Sequence, residues 1–147
     1  MKIYNKKTHS INRNSDYNNT FSITINFFEM IYDWDSYRLV DICGFIPLIK
    51  AEKINIDLPI YTQGEFIIKL KKHNVKPGEI YDYNDIAFTN GIDFQNGKVY
   101  YDEKKGIICI GDINFNNIAL MINNNIVCVI DDNNILRCLY ILIESFC

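Results

Sequence analysis

Histidine is scarce in this chain, with two in 147 residues, and so are proline (three), tryptophan (one) and glycine (seven). A nucleophilic site needs Ser or Cys beside a base, usually histidine, with a third group to orient it. His9 lies in a polar stretch and His73 at the end of a lysine-rich segment, so neither stands in such a constellation. The glycine pattern of a P-loop or dinucleotide fingerprint is missing, which leaves Gly111-Asp112, after the apolar run Ile107 to Ile110, as a lone turn glycine. The EF-hand ligand pattern is also missing around Asp82 and Asp85. Five cysteines are an odd number, each sits among apolar neighbours, and none has C-x-x-C spacing. With two histidines as the nitrogen ligands, that spacing speaks against a zinc site or a disulfide framework and for buried, reduced thiols. No metal and no cofactor are expected. No apolar run approaches the ~18 to 20 residues of a membrane span, and the basic start, Met1 to Lys7, lacks the apolar segment of a secretory signal. The expectation is a cytoplasmic protein with no membrane partner.

What the chain does have is an ordinary globular composition, 48% apolar and 22% charged, in a length suited to one domain. The 27 Ile and 19 Asn point to A/T-rich codons more than to any special role for asparagine. The asparagines fall between β-branched runs at turn spacing. Between Asn90 and Asn134, turn clusters at Asn90-Gly91, Asn96-Gly97, residues 103 to 106, 123 to 125 and 131 to 134 separate strand-length apolar runs. Asn-Gly reaches φ > 0 at little cost and is a strong hairpin signal, so the segment reads as an antiparallel meander. Residues 1 to 20 read as a polar arm or edge segment, and Phe21 to Phe27 as a half-buried strand. Phe28 to Ile42 is laid on a short helix, and Thr62-Gln-Gly-Glu65 matches a capping box opening a second helix with Phe66, Ile67 and Leu70 as its apolar stripe. Residues 135 to 146 stand between strand and helix, with strand preferred. The expected fold is therefore α+β: an arm at 1–20, then a single domain at 21–147 with an antiparallel meander in the C-terminal half and one or two helices from the N-terminal half packed on it.

Charge is unevenly placed. Residues 1 to 76 hold 11 basic and 8 acidic side chains, a balance of +3, whereas residues 77 to 147 hold 4 and 10, a balance of −6. An acidic surface repels nucleic acid and speeds association with cationic partners. Its carboxylate pairs, such as Asp82 with Asp85 and Asp102 with Glu103, fall mostly at turns, where Asp is favoured for its own backbone hydrogen bonds, and do not read as acid/base dyads. Tyrosines are interleaved with these acids, and tyrosine supplies interface area with a hydrogen-bonding tip. Tyr81, Asp82, Tyr83, Asp85, Tyr100, Asp102, Glu103 and Asp112 are accordingly the candidate partner-binding residues.

The order Leu58-Pro59, Tyr61, Phe66 and Asn74, then Ile108-Cys-Ile-Gly-Asp112, Asn117 to Ile122, Val127 to Asp131 and the closing Glu144-Ser145-Phe146 resembles the SUKH superfamily. Those proteins typically show an LP-x-x-Y-x-x-F helix, a Gly-Asp before a strand, and a closing Ser-Phe segment. Many are bacterial immunity proteins that bind and neutralise a cognate toxin, often a nuclease. The resemblance implies a non-catalytic antitoxin that blocks the toxin's basic active site or an exosite, with the protein toxin as partner and a homodimer left open. The alternative is a small-molecule binder or enzyme with a pocket in a curved sheet, using Asp112, Tyr100 or His73. A third reading, a scaffold subunit, would carry a large apolar patch and self-associate.

Overall fold

Alternation of large apolar and polar residues builds the first sheet. In the computed structural model, which describes residues 1–14, 18–71, 74–94 and 97–147, Phe21, Ile23, Met30, Tyr32 and Ile42 turn to one side and are buried. They belong to β3 (Thr20–Ile25), β4 (Phe28–Asp33) and β5 (Leu39–Phe45). With β1 (Ile3–Asn5), β2 (Ser10–Ile11), β8 (Ile80–Asp82) and β14 (Ser145–Phe146) these form a seven-stranded sheet in the order β14-β1-β2-β5-β4-β3-β8. The second sheet joins β6 (Glu52–Lys53), β7 (Thr62–Gln63), β9 (Val99–Asp102), β10 (Ile107–Gly111), β11 (Ile118–Met121), β12 (Ile126–Ile130) and β13 (Leu136–Leu142) in the order β6-β9-β10-β13-β12-β11-β7.

One apolar core joins the sheets, with Phe21, Ile23, Met30 and Ile42 of the first packed in the same cluster as Ile108, Ile126, Leu139 and Ile141 of the second. The second sheet is buried on its other face too: Cys109, Val127, Val129, Cys138 and Tyr140 lie beneath Ile56, with Ile54, Leu58 and Phe115 packed against them. Burial on both faces is why its strands read as unbroken apolar runs. All four edge strands are two or three residues long and pair in parallel with their neighbours. Short edges leave little backbone open for pairing with another chain.

This architecture corrects the α+β expectation. Nearly half the chain is strand, both sheets are mixed, and among the described residues the one helical element is a 3-10 turn at Tyr83–Asp85. Phe28 to Ile42 forms β4, a turn and β5, because Phe28, Met30 and Tyr32 alternate inward and a bulge at Ile31/Tyr32 resets the register against Leu39 and Asp41. The capped helix expected from Thr62, on which the resemblance to SUKH proteins leaned, is not formed. Thr62 and Gln63 pair with Leu120 and Met121, Glu65 faces Arg38 at 3.3 Å, and Phe66 and Ile68 are buried while Ile67 between them is exposed. That is a period of two, not 3.6. Lys72 of that expected helix lies outside the described residues. A Cβ on Gly64 would come within 2.7 Å of the Leu120 side chain, so this glycine serves close strand approach.

The C-terminal half is likewise not a simple meander, since β10 pairs with β13 and the chain crosses over before β11. Gly111 ends β10 at φ +106, where an added Cβ would sit 2.6 Å from the Arg137 carbonyl oxygen, and this close packing accounts for the Gly-Asp pair. Residues 135 to 146 supply β13 and β14. The polar N-terminal stretch supplies β1 and β2, set between β14 and β5, and Lys2 is wholly buried. All five cysteines are free thiols, four of them buried and Cys147 exposed. Among the described residues no helix is long and apolar enough to cross a membrane.

Candidate protein-binding surface

The β3-β4 hairpin turns on two residues, Asn26 and Phe27, between the paired Ile25 and Phe28. Both central residues have positive φ, +51° and +85°, the requirement of the tight hairpin turn whose twist matches the strands. Asn suits it; a bulky aromatic does not. The Phe27 ring is 80% exposed, so burial does not offset the strain.

Beside this tip runs the segment carrying β8 and the 3-10 turn. Asp82 caps the turn by accepting a hydrogen bond from the Asn84 backbone N–H at 2.9 Å. The Tyr83 hydroxyl donates to the Ile92 carbonyl and accepts from the Ile92 N–H, both at 2.9 Å, and its ring stacks on Phe88 at 4.8 Å. Those contacts fix residues 92–94 against the turn. Asp93 is anchored by its backbone N–H to the Leu136 carbonyl at 2.8 Å, and Phe94 packs 6.5 Å from Phe28. Between hairpin tip, 3-10 turn and residues 92–94 lies an open cleft of about 620 Å³, with Thr24, Asn26, Phe27, Asp82, Asn84 and Asp93 on its walls. Among the described residues its charged lining is Asp82 and Asp93, with no Lys, Arg or His. Arg137 lies 3.6 Å from the Asp93 carboxylate but divides its charge with Asp131 at 3.4 Å.

Of the eight residues expected from the sequence, the structure brings Asp82 and Tyr83 to this cleft. Asp85 follows on the same exposed turn. Tyr81 precedes them on β8, its ring edge-on to Phe21 at 6.4 Å and its hydroxyl accepting from the Lys76 N–H. The other four do not line it. Tyr100 packs against the outer apolar cluster of the second sheet under the Lys98 ammonium, 5.6 Å from the ring centroid. Asp102 is a buried turn residue that accepts from the N–H groups of Ile56 at 3.0 Å and Lys105 at 3.1 Å, and these bonds hold its carboxyl below the usual carboxylate range. Glu103 pairs with Lys6, which lowers its carboxyl in the same way. Asp112 caps its own turn, accepting from Asn114 at 3.1 Å. The −6 balance of the C-terminal half therefore does not map onto one face. Each sheet draws strands from both halves, and Lys6 and Asp57 from the first half pair with Glu103 and Lys105 from the second. His73 lies outside the described residues.

Sequence reasoning missed Asn26, Phe27 and Asp93. The signal for the first two was present: Asn-Phe separates Phe21 to Ile25 from Phe28 to Tyr32, two runs of matching alternation, as a two-residue hairpin loop should. Asp93 carries no local signal, because only the fold brings it to the same cleft as Asp82. Among the described residues, no group of three His, Cys, Asp or Glu converges as a metal site would require.

No protein-family model, curated protein or solved structure matches the chain. Two carboxylates, two amides and a hydroxyl around an apolar floor suit a guanidinium or ammonium group.

Proposed function

We propose that this chain is a non-catalytic binding protein that neutralises a cationic partner protein, acting in the cytoplasm as the immunity partner of a bacterial toxin. A nuclease fits the role best, since its active site must be basic to hold nucleic acid. The observation that carries the reading is the open cleft whose charged walls are both anionic, set beside an exposed aromatic at a strained turn. A basic loop of the toxin would place Lys or Arg between Asp82 and Asp93, and the bulk of the sandwich would then cover the toxin's substrate site. No bond is made or broken.

The small-molecule reading has less support. The space between the sheets is occupied by side chains, and Tyr100 and Asp112 stand away from the large cleft. The experiment is co-expression with the product of the adjacent gene. The proposal expects that product to arrest growth alone and to be silenced by this chain, with Asp82→Asn/Asp93→Asn weakening protection. A harmless neighbour, or one equally toxic in the presence of this chain, overturns it.

A further inference from the structure

Beyond the cleft, aromatic side chains at the surface form a path, with Phe27 and Phe45 exposed and His9 half-buried. Phe27, on the cleft wall, meets Phe45 edge-on at 6.4 Å, and Phe45 meets His9 edge-on at 6.2 Å. The three side chains come from the β3-β4 turn, the end of β5 and the residue before β2, neighbouring elements of one sheet. His9 in turn lines a second groove of about 320 Å³, walled by Tyr4, Leu48, Ile49, Tyr101 and Phe146 and rimmed by the Lys6–Glu103 pair. Phe45 is 41% and Ile49 85% exposed. The surface thus runs without interruption from an anionic cleft, over an aromatic ridge, to an apolar groove.

We infer that cleft, ridge and groove are one docking track for an extended segment of a cationic partner protein. Its Lys or Arg sits between Asp82 and Asp93, and an apolar side chain further along the segment fills the groove at Ile49. This rests on the binding reading above and deepens it by assigning the apolar half of the interface. Two features name the occupant. The cleft's carboxylates select a cation at one end. Phe27 keeps a ring where glycine or asparagine would relax the turn, and apart from its edge contact with Phe45 the ring gains little burial from its own chain, because most of it faces solvent. Exposed aromatics beside a desolvating pocket are where interface energy concentrates. Pairing of a partner strand to a sheet edge is disfavoured, because each edge strand is two or three residues long.

The test uses the full chain and, as probe, the adjacent gene's product with its catalytic centre disabled, titrated by calorimetry. Phe27→Gly and Ile49→Asp are each expected to weaken binding at least tenfold, while Phe27→Trp retains it. Phe27→Gly should also raise Tm by a few degrees, which separates lost contact from lost folding. If Asp82→Asn/Asp93→Asn weakens binding and the two apolar variants stay within twofold of wild type, the track is wrong and the cleft reading survives. If the wild-type chain forms no complex, both fall. If light scattering shows a dimer that Ile49→Asp dissociates, the surface belongs to a second copy of this chain and the inference is overturned.

Discussion

Removing the carboxylate of Asp41 should be among the most damaging single changes available to this fold. Lys2 and Asp41 form an ion pair with both side chains wholly inaccessible to solvent. The Lys2 ammonium donates its remaining protons to the carbonyls of Asn12 and Ile42, each at 2.7 Å, and Asp41 accepts from the Asn14 N–H at 2.9 Å. The pair therefore staples β1 and the segment after β2 to β5, the centre of the first sheet. Asp41→Leu leaves a buried ammonium without its counter-charge, a defect that costs about 3 to 5 kcal/mol. Against a total stability of roughly 5 to 15 kcal/mol, that is a large fraction. With a urea slope of about 2 kcal/mol/M, the midpoint should fall by about 2 M. Trp34, the sole tryptophan, reports the transition by fluorescence, since its indole N–H bonds the Val75 carbonyl at 2.9 Å and unfolding breaks that contact. Lys2→Met/Asp41→Leu removes both charges and should recover most of the loss, because an apolar pair of similar volume owes no desolvation. A loss below about 1 kcal/mol for Asp41→Leu, or a double variant as unstable as the single, would refute the reasoning.

Other outcomes follow from the same geometry. Tyr83→Phe strips both hydrogen bonds from the Ile92 backbone and should cost about 1 to 3 kcal/mol, read as a shift in the urea midpoint together with faster amide exchange at residue 92. Phe27→Gly should stabilise the chain by about 1 kcal/mol, the relieved strain outweighing the freedom glycine adds to the unfolded state. In the native state one thiol, Cys147, should react promptly with a disulfide reagent near pH 8, and all five in denaturant. Burial, followed by the nearby Glu29, pushes the Cys43 thiol up to about 11, burial raises Cys128, and the hydrogen bond to Cys138 raises Cys109 ahead of burial. The carboxyls of Asp33, bound by the Ser36 hydroxyl and N–H, and of Asp102, bound by the N–H groups of Ile56 and Lys105, lie below their ordinary value. Groups depressed in this direction contribute stability above an unfolded pKa of about 4 and lose it as pH falls through the folded value. The urea midpoint should stay level from pH 7 to 5 and drop below pH 4, less steeply in Asp102→Ala; a midpoint that rises on acidification contradicts this.

How far the sequence could be read depended on where its signals were local. The turn clusters at 103 to 106, 123 to 125 and 131 to 134 fall between β9 and β10, β11 and β12, and β12 and β13, because Asn and Gly clusters act on their own neighbours. The helix at 62–72 failed because Thr62 and Glu65 satisfy a capping pattern only if their partners are the adjacent N–H groups. In the fold Gln63 and Gly64 are instead held against Met121, nearly sixty residues away. Tertiary pairing overrode a local motif. Phe28 to Ile42 failed for a related reason, since its inward alternation is interrupted by a bulge that only the partner strand reveals. A quarter of the expected residues reach the cleft, Asp82 and Tyr83 of the eight. Asp102, equally prominent as an acid, turned out to be consumed by the backbone of Ile56 and Lys105, a fate that sequence charge counting cannot register.

The central claim is that Asp82 and Asp93 hold a cationic side chain of a partner protein. Calorimetric titration of the adjacent gene's product into this chain, repeated across salt concentrations, tests it most directly. The account predicts a one-to-one complex that weakens with salt, and a flatter salt dependence with at least tenfold weaker binding in Asp82→Asn/Asp93→Asn. Binding of equal strength and equal salt dependence in that variant would contradict it.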